Sequence, residues 1–150
     1  MGGDWVSATY ERVGITASRH GLTTAQHYLL AKSLRLLRGD RGAKYFHHGD
    51  CVGGDFEGAS LARGLGYQII GHPPVNDDLR AFFESDEQRK PAGYLARNRQ
   101  LTNEVDLLIG CPNTDDPETE SGTWYTIRYA QRTGTRFAVI LPDGSWWREN

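Results

Sequence analysis

Along the chain, apolar residues alternate between short continuous runs and longer stretches with helical spacing. The first short run, residues 12–16, ends in polar Ser18-Arg19-His20-Gly21, which predicts a buried strand followed by a loop. From Thr23 or Thr24 onward, Ala25, Tyr28, Leu29, Ala31, Leu34, Leu36 and Leu37 recur at helical spacing, with threonine as N-cap and Gly39 as terminator. A second strand is expected at 43–47, then the glycine-rich turn His48-Gly-Asp-Cys-Val-Gly-Gly-Asp55, a helix over 56–65 stopping at Gly64 or Gly66, and a third strand at 67–71. Residues 72–91 read as a long functional loop or a short helix, carrying His72-Pro-Pro, an apolar patch at Leu79, Ala81, Phe82 and Phe83, and a charged run from Glu84 to Lys90. Helical spacing returns at 94–104 through Leu95, Asn98 and Leu101. A fourth strand at 105–110, a polar loop, a helix over 122–133 and a fifth strand at 136–141 follow, and the tail 143–150 is expected to be surface or a contact arm.

Five strands separated by four helix-length crossovers predict one α/β domain over residues 1–150, a doubly wound, mainly parallel five-stranded sheet with helices on both faces. Ligands of such sheets sit beyond the carboxyl ends of the strands, where strand order reverses. The segments following the strands are Ser18-Arg19-His20, His48-Gly-Asp-Cys51, His72-Pro-Pro, Cys111-Pro-Asn113 and Pro142-Asp-Gly144, so the chemistry-bearing residues collect on one edge.

Composition sharpens this picture. Glycine, 18 of 150 residues, exceeds its usual share of about 7%, and the remaining balance is that of a globular chain rather than a disordered one. Seventeen basic against nineteen acidic residues argue against extended nucleic-acid binding or a grip on an anionic membrane. No apolar run approaches the roughly 18 residues of a membrane span, and the start lacks the pattern of a signal peptide, so a cytoplasmic chain is expected. Cys51 and Cys111 are too few and too far apart for a disulfide framework or structural zinc and read as buried or half-buried free thiols. His47 and His48 invite a metal, but neighbours on a strand point to opposite faces and no further ligand set is evident; the reading is no metal and no cofactor.

Three motifs carry candidate chemistry. In the His48–Asp55 turn, glycines permit close backbone approach while a helix start presents free N–H groups, a place for phosphate or ribose; in the plain alternative it is a tight turn with Asp50 and Asp55 as caps. It lacks both the Walker pattern and the GxGxxG fingerprint. Glu120-Ser-Gly-Thr-Trp-Tyr-Thr126 opens the last helix with Ser121 or Thr123 as cap and Gly122 free for ligand approach, or is simply a Ser-initiated helix. In Tyr94-Leu-Ala-Arg-Asn-Arg-Gln-Leu101, Arg97 and Arg99 cannot share a helix face, so one can point to the ligand edge; a solvated face is the alternative.

In order, Gly14-Ile-Thr-Ala-Ser-Arg19, the His48–Asp55 turn, Arg97-Asn-Arg-Gln-Leu101, Asp106-Leu-Leu-Ile-Gly110 and Ser121-Gly-Thr123 resemble the SLOG superfamily. This Rossmann-like group includes cytokinin-activating phosphoribohydrolases, YspA-like proteins and relatives of DprA. The resemblance implies a Rossmann-like fold, a nucleotide or nucleoside-type ligand and a homodimer, the last also suggested by Trp5, Trp146 and Trp147 near the termini. It implies Arg97 acting on an N-glycosidic bond. The glutamate expected from the family's Gly-Gly-x-Gly-Thr-x-x-Glu helix falls on Thr126, a poor substitute for a carboxylate. Asp55, Glu120, Asp50 or Asp116 would then have to supply one, or the site binds without turnover, as a sensor or sequestering protein. Catalytic roles are accordingly expected at Arg97, Glu120 and Asp55. Ligand contacts are expected from Ser18, Arg19, Gly49, Asp50, Gly53, Gly54, Asn98, Ser121, Gly122 and Thr123; Tyr94, Trp124 or Tyr125 can stack on a base, although large aromatics at a helix start more often make core or dimer contacts.

Overall fold

The computed structural model describes residues 8–148, so Trp5 lies outside the described residues. Its elements run β1 (Arg12–Ala17), α1 (Thr24–Asp40), β2 (Tyr45–His48), α2 (Gly54–Gly64), β3 (Gln68–Gly71), β4 (Glu87–Gln88), α3 (Tyr94–Glu104), β5 (Leu107–Cys111), α4 (Gly122–Thr133) and β6 (Phe137–Val139). They form an α/β fold around one sheet of order β4-β3-β2-β1-β5-β6 in which every strand pairing is parallel. The sheet has six strands, not five. The extra one, β4, is two exposed polar residues at the edge inside the long 72–91 connection, where no apolar alternation marks it.

Helix α1 starts where its sequence says, because Thr23 and Gln26 form a reciprocal capping box: Thr23 Oγ1 accepts from the Gln26 amide and Gln26 Oε1 from the Thr23 amide, both at 3.0 Å. It runs through Gly39 and closes at Arg41 instead, whose amide reaches Leu37 O. Gln26, itself buried, donates to the carbonyls of Pro112 and Ile140 and so ties α1 to the loops beyond β5 and β6. At the other end of the chain, Ser121 accepts the Trp124 amide and Gly134, at φ 82°, stops α4 in the left-handed conformation.

Central β5 is buried at every residue, as a strand covered on both faces must be. Leu107, Ile109 and Cys111 join Val13, Ile15 and Phe46 under α1 and α2, whereas Leu108 faces Leu101, Val105 and Ala130 of α3 and α4. Glycine sets the depth of contact on both sides. A methyl group at Gly14 would lie 2.9 Å from Val105 Cγ1, and one at Gly58 would lie 2.7 Å from Ile15 Cδ1.

The tail turns back on the sheet. The Trp147 amide donates to Val139 O, Trp146 packs on the main core, and the Trp147 ring meets Trp124 and Phe137. Both tryptophans are half-buried within the chain, so neither serves the exposed-tryptophan argument for a dimer. Among the described residues no helix is long and apolar enough to cross a membrane.

Candidate functional site

The strand order reverses between β1 and β5, and a cleft of about 640 Å³ opens there at the carboxyl edge of the sheet. The loop after β1, the turn after β2, the first half of α3, the loop after β5 and the start of α4 build its walls. Ser18, Arg19, Gly49, Asp55, Arg97, Asn98, Glu120, Ser121, Gly122 and Thr123 all line it. Asp50, Gly53 and Gly54 do not.

The turn before α2 is turned inward. The Gly54 amide donates to Ser18 O, and methyl groups at Gly53 or Gly54 would come within 2.3 Å of Arg19 O or 2.4 Å of the Ala17 methyl. These glycines therefore admit the protein's own β1–α1 loop, not a ligand. Asp50, buried and left-handed at φ 55°, accepts from Arg80 Nε at 2.7 Å and from the Phe83 amide at 2.9 Å. It anchors residues 80–83 of the long connection, which corrects its assignment as a ligand contact.

Arg97 is buried and heavily committed. Its Nε donates to Asn98 Oδ1 at 2.7 Å, Nη1 to the carbonyls of Gly49 and, at 3.2 Å, His72, and Nη2 to Cys51 Sγ at 3.7 Å. Gly49 has no room for a side chain because a methyl group would sit 2.6 Å from Arg97 Nη1 and 2.8 Å from Asp55 Oδ2. The guanidinium thus locks the ends of β2 and β3 and presents only an edge to the cleft. Asp55 accepts from the amides of Cys51 and Gly49; burial pushes its carboxyl up to about 6 against the opposing pull of Arg97 and those amides. Cys51 and Cys111 are buried free thiols, both raised above the ordinary range by burial, so neither is an activated nucleophile.

The start of α4 is different. Ser121 uses its hydroxyl on the Trp124 amide, and the Thr126 hydroxyl donates to Gly122 O at 2.7 Å. Thr126 also lines the cleft, closing the position of the expected carboxylate with a committed hydroxyl. The Thr123 hydroxyl and the Asn98 side-chain amide nitrogen, on residues 6% and 9% exposed, make no hydrogen bond to the described residues and face the cleft. Ser18 accepts the His20 amide and keeps its own proton to give, and Arg19 is exposed at the rim without an ion pair among the described residues. Glu120 is exposed at the rim as well. Tyr94 lies across the mouth, its ring 5.0 Å from the Arg97 guanidinium and its hydroxyl against Gly122. Trp124, by contrast, is fully buried with its indole N–H on Thr114, and Tyr125 is held by Arg99 on the α3–α4 surface; neither faces the cleft to stack on a base.

No family model matches the chain, and no curated protein matches it. Solved structures similar in fold include two of known source or target. The molybdenum cofactor binding protein from the phototrophic bacterium Rippkaea orientalis is 19% identical with a TM-score of 0.65, covering 90% of this chain and 78% of that one. TM1055, a structural-genomics target, is 14% identical with a TM-score of 0.59, covering 85% and 72%. The fold is Rossmann-like. Identities this low carry the fold and leave the chemistry to the site.

One feature escaped the sequence. His47 and His48 do point to opposite faces, His48 Nε2 to Ser85 Oγ at 2.8 Å and His47 Nδ1 to His72 Nε2 at 2.8 Å. The structure then adds a ligand set that adjacency concealed, since His47, His72 and Glu104 place one ligand atom each within 4.8 Å of one another. Their sequence separations of 25 and 32 residues follow no local motif, and only the strand register brings them together.

Proposed function

We propose that the cleft binds a nucleotide or nucleoside-derived ligand through its phosphate. The phosphate meets the free amides at the amino end of α4, the Thr123 and Ser18 hydroxyls and Arg19; the sugar and base extend past Asn98 toward Asp55 and Tyr94. The observation that carries this reading is a pair of polar groups on buried residues, Thr123 Oγ1 and Asn98 Nδ2, that make no hydrogen bond to the described residues and open onto a cleft at the reversal of strand order beside a helix start. Membership of the SLOG superfamily is part of the proposal, supported by motif order and the Rossmann-like fold.

Binding without turnover is the primary reading, because a buried, committed Thr126 stands where the resembling enzymes place glutamate. Cleavage of the N-glycosidic bond is a second reading, favoured by Asp55: a cleft carboxyl raised to about 6 keeps far more of its protonated form near neutrality than an ordinary carboxyl and can pass that proton to a departing base. The test is a thermal-shift panel of nucleoside monophosphates, the matching nucleosides and the molybdenum cofactor, which one structural neighbour is described as binding. Stabilisation by a monophosphate above its nucleoside supports the reading, and free base released by the wild type and lost in Asp55→Asn turns it into the second. No shift with any member of the panel overturns both.

A further inference from the structure

Behind the cleft, on the α3 side of the sheet, four polar side chains from different elements meet in one line. Arg12 of β1 places Nη1 3.0 Å from His47 Nε2 in β2, and His47 Nδ1 lies 2.8 Å from Nε2 of His72, just past β3. His72 Nδ1 is buried without a hydrogen-bond partner and faces Glu104 Oε2, at the end of α3, from 3.9 Å; the other oxygen of Glu104 takes Arg89 Nε at 2.9 Å.

The order of protons along this line follows from its first member. A guanidinium has donors and no acceptor, so His47 Nε2 must offer a lone pair and its proton must sit on Nδ1. That proton is donated to His72 Nε2, which must therefore be bare, and the His72 proton is left on Nδ1, aimed at Glu104. A second proton on either ring would set N–H against N–H. Burial and the nearby Arg12 and Arg89 charges also disfavour the imidazolium, lowering His47 to about 2 and His72 to about 3.

The same order bears on metal. Two histidines and a glutamate suit zinc. A metal bound through His47 Nδ1, or through His72 Nδ1 with the histidine hydrogen bond reversed, would force a proton onto His47 Nε2 against the Arg12 donor. The line also reaches the cleft: the His72 carbonyl accepts Arg97 Nη1, and Glu104 ends the helix that carries Arg97 and Asn98.

We propose that Arg12, His47, His72 and Glu104 form a proton-ordered clasp in which Arg12 fixes both imidazoles as neutral Nδ1–H tautomers, keeps metal off the pair and thereby positions Arg97. This inference stands apart from the identity of the ligand. Long-range proton–nitrogen NMR on the full chain at pH 7 reads it directly, with a protonated Nδ1 and a bare Nε2 expected on both rings. An Nε2–H tautomer or an imidazolium on either ring overturns it, as does broadening of both rings by added cobalt(II) in the wild type. Arg12→Lys, still a pure donor, keeps the order. Arg12→Gln, whose amide can also accept, permits the reverse order and is expected to speed hydrogen exchange at Arg97 Nε–H at least tenfold, while Arg12→Lys stays within twofold. Equal effects in the two variants, or none in Arg12→Gln, would reduce Arg12 to packing over the Tyr45 ring. If Arg12→Gln does not fold, the wild-type spectrum still decides.

Discussion

The helix starts of α2 and α4 look alike as sequence and do opposite things in the fold. Each follows a strand on the same sheet edge and begins with glycine beside a hydroxyl or carboxyl residue. At α2 the β1–α1 loop lies directly on Gly53 and Gly54, the Gly54 amide is spent on Ser18 O, and Asp55 takes the amides of Gly49 and Cys51. At α4 only the outer end of the half-exposed Tyr94 ring lies against Gly122, and Thr123 keeps a free hydroxyl toward the cleft. A glycine-rich helix start thus announces a close approach without naming what approaches. Where chain fills the space, the motif is architecture; where the space stays open, it is a candidate site.

Mutation of the glycines should separate the two most strongly. Gly53→Ala combines a left-handed φ of 86° with a methyl group 2.3 Å from backbone, and overpacking plus left-handed strain predicts a loss of roughly 3 to 5 kcal/mol in chemical denaturation. Gly122→Ala meets only the outer end of the half-exposed Tyr94 side chain, which can swing away as a whole, so its stability should change by less than about 1 kcal/mol while ligand affinity falls. Equal destabilisation by the two would break the contrast.

Acid should expose the closed character of the first region next. Burial lowers His47, His48 and His72 to about 2, 4 and 3, so each gains a proton on unfolding below its ordinary 6.5. Asp55, raised to about 6, works the other way, since its folded form already holds a proton that the unfolded chain releases above 3.8. Between pH 6 and 4 the net is about two protons taken up on unfolding, so stability should fall by about 3 kcal/mol per pH unit. Asp55→Asn removes the opposing proton and should steepen the slope to about 4 kcal/mol per unit. Urea titrations at pH 6, 5 and 4 measure both slopes, and an unchanged slope in the variant would deny Asp55 its raised value.

Smaller effects belong to the open region. Arg19→Ala should leave stability unchanged and weaken a monophosphate by about 1.5 to 3 kcal/mol, roughly 10- to 100-fold, less so at high salt. Calorimetry at two ionic strengths measures this, and no loss would place the phosphate elsewhere. Ser121→Ala removes the α4 cap and should cost about 1 kcal/mol in thermal unfolding.

Much of the fold was legible because its signals are local. The Thr23–Gln26 box starts α1 and Gly134 stops α4 where expected, and the buried strands show as short apolar runs. Strand β4 was not legible, since it is two exposed polar residues that pair with β3 after a loop pinned by Asp50, with Asp86 and Arg89 bonded to β3 on either side. The rule for parallel sheets gathered the candidate site residues on the edge where the cleft opens, yet Asp50 and Trp124 turn away from that cleft for one reason: a polar or aromatic residue near a strand end serves whichever neighbour reaches it first, and those neighbours lie 30 and 10 residues away.

By itself the sequence determined the alternation of strand and helix, the caps and stops, and the edge on which the cleft opens, because each depends on residues within a turn or two of one another. Tertiary structure alone decided that α2's start is filled and α4's is open, that Thr126 spends its hydroxyl on Gly122, and that His47 finds His72 and Glu104. Those outcomes depend on the distance between segments remote in sequence, and that distance is set by strand register and by the few ångströms that a missing methyl group allows.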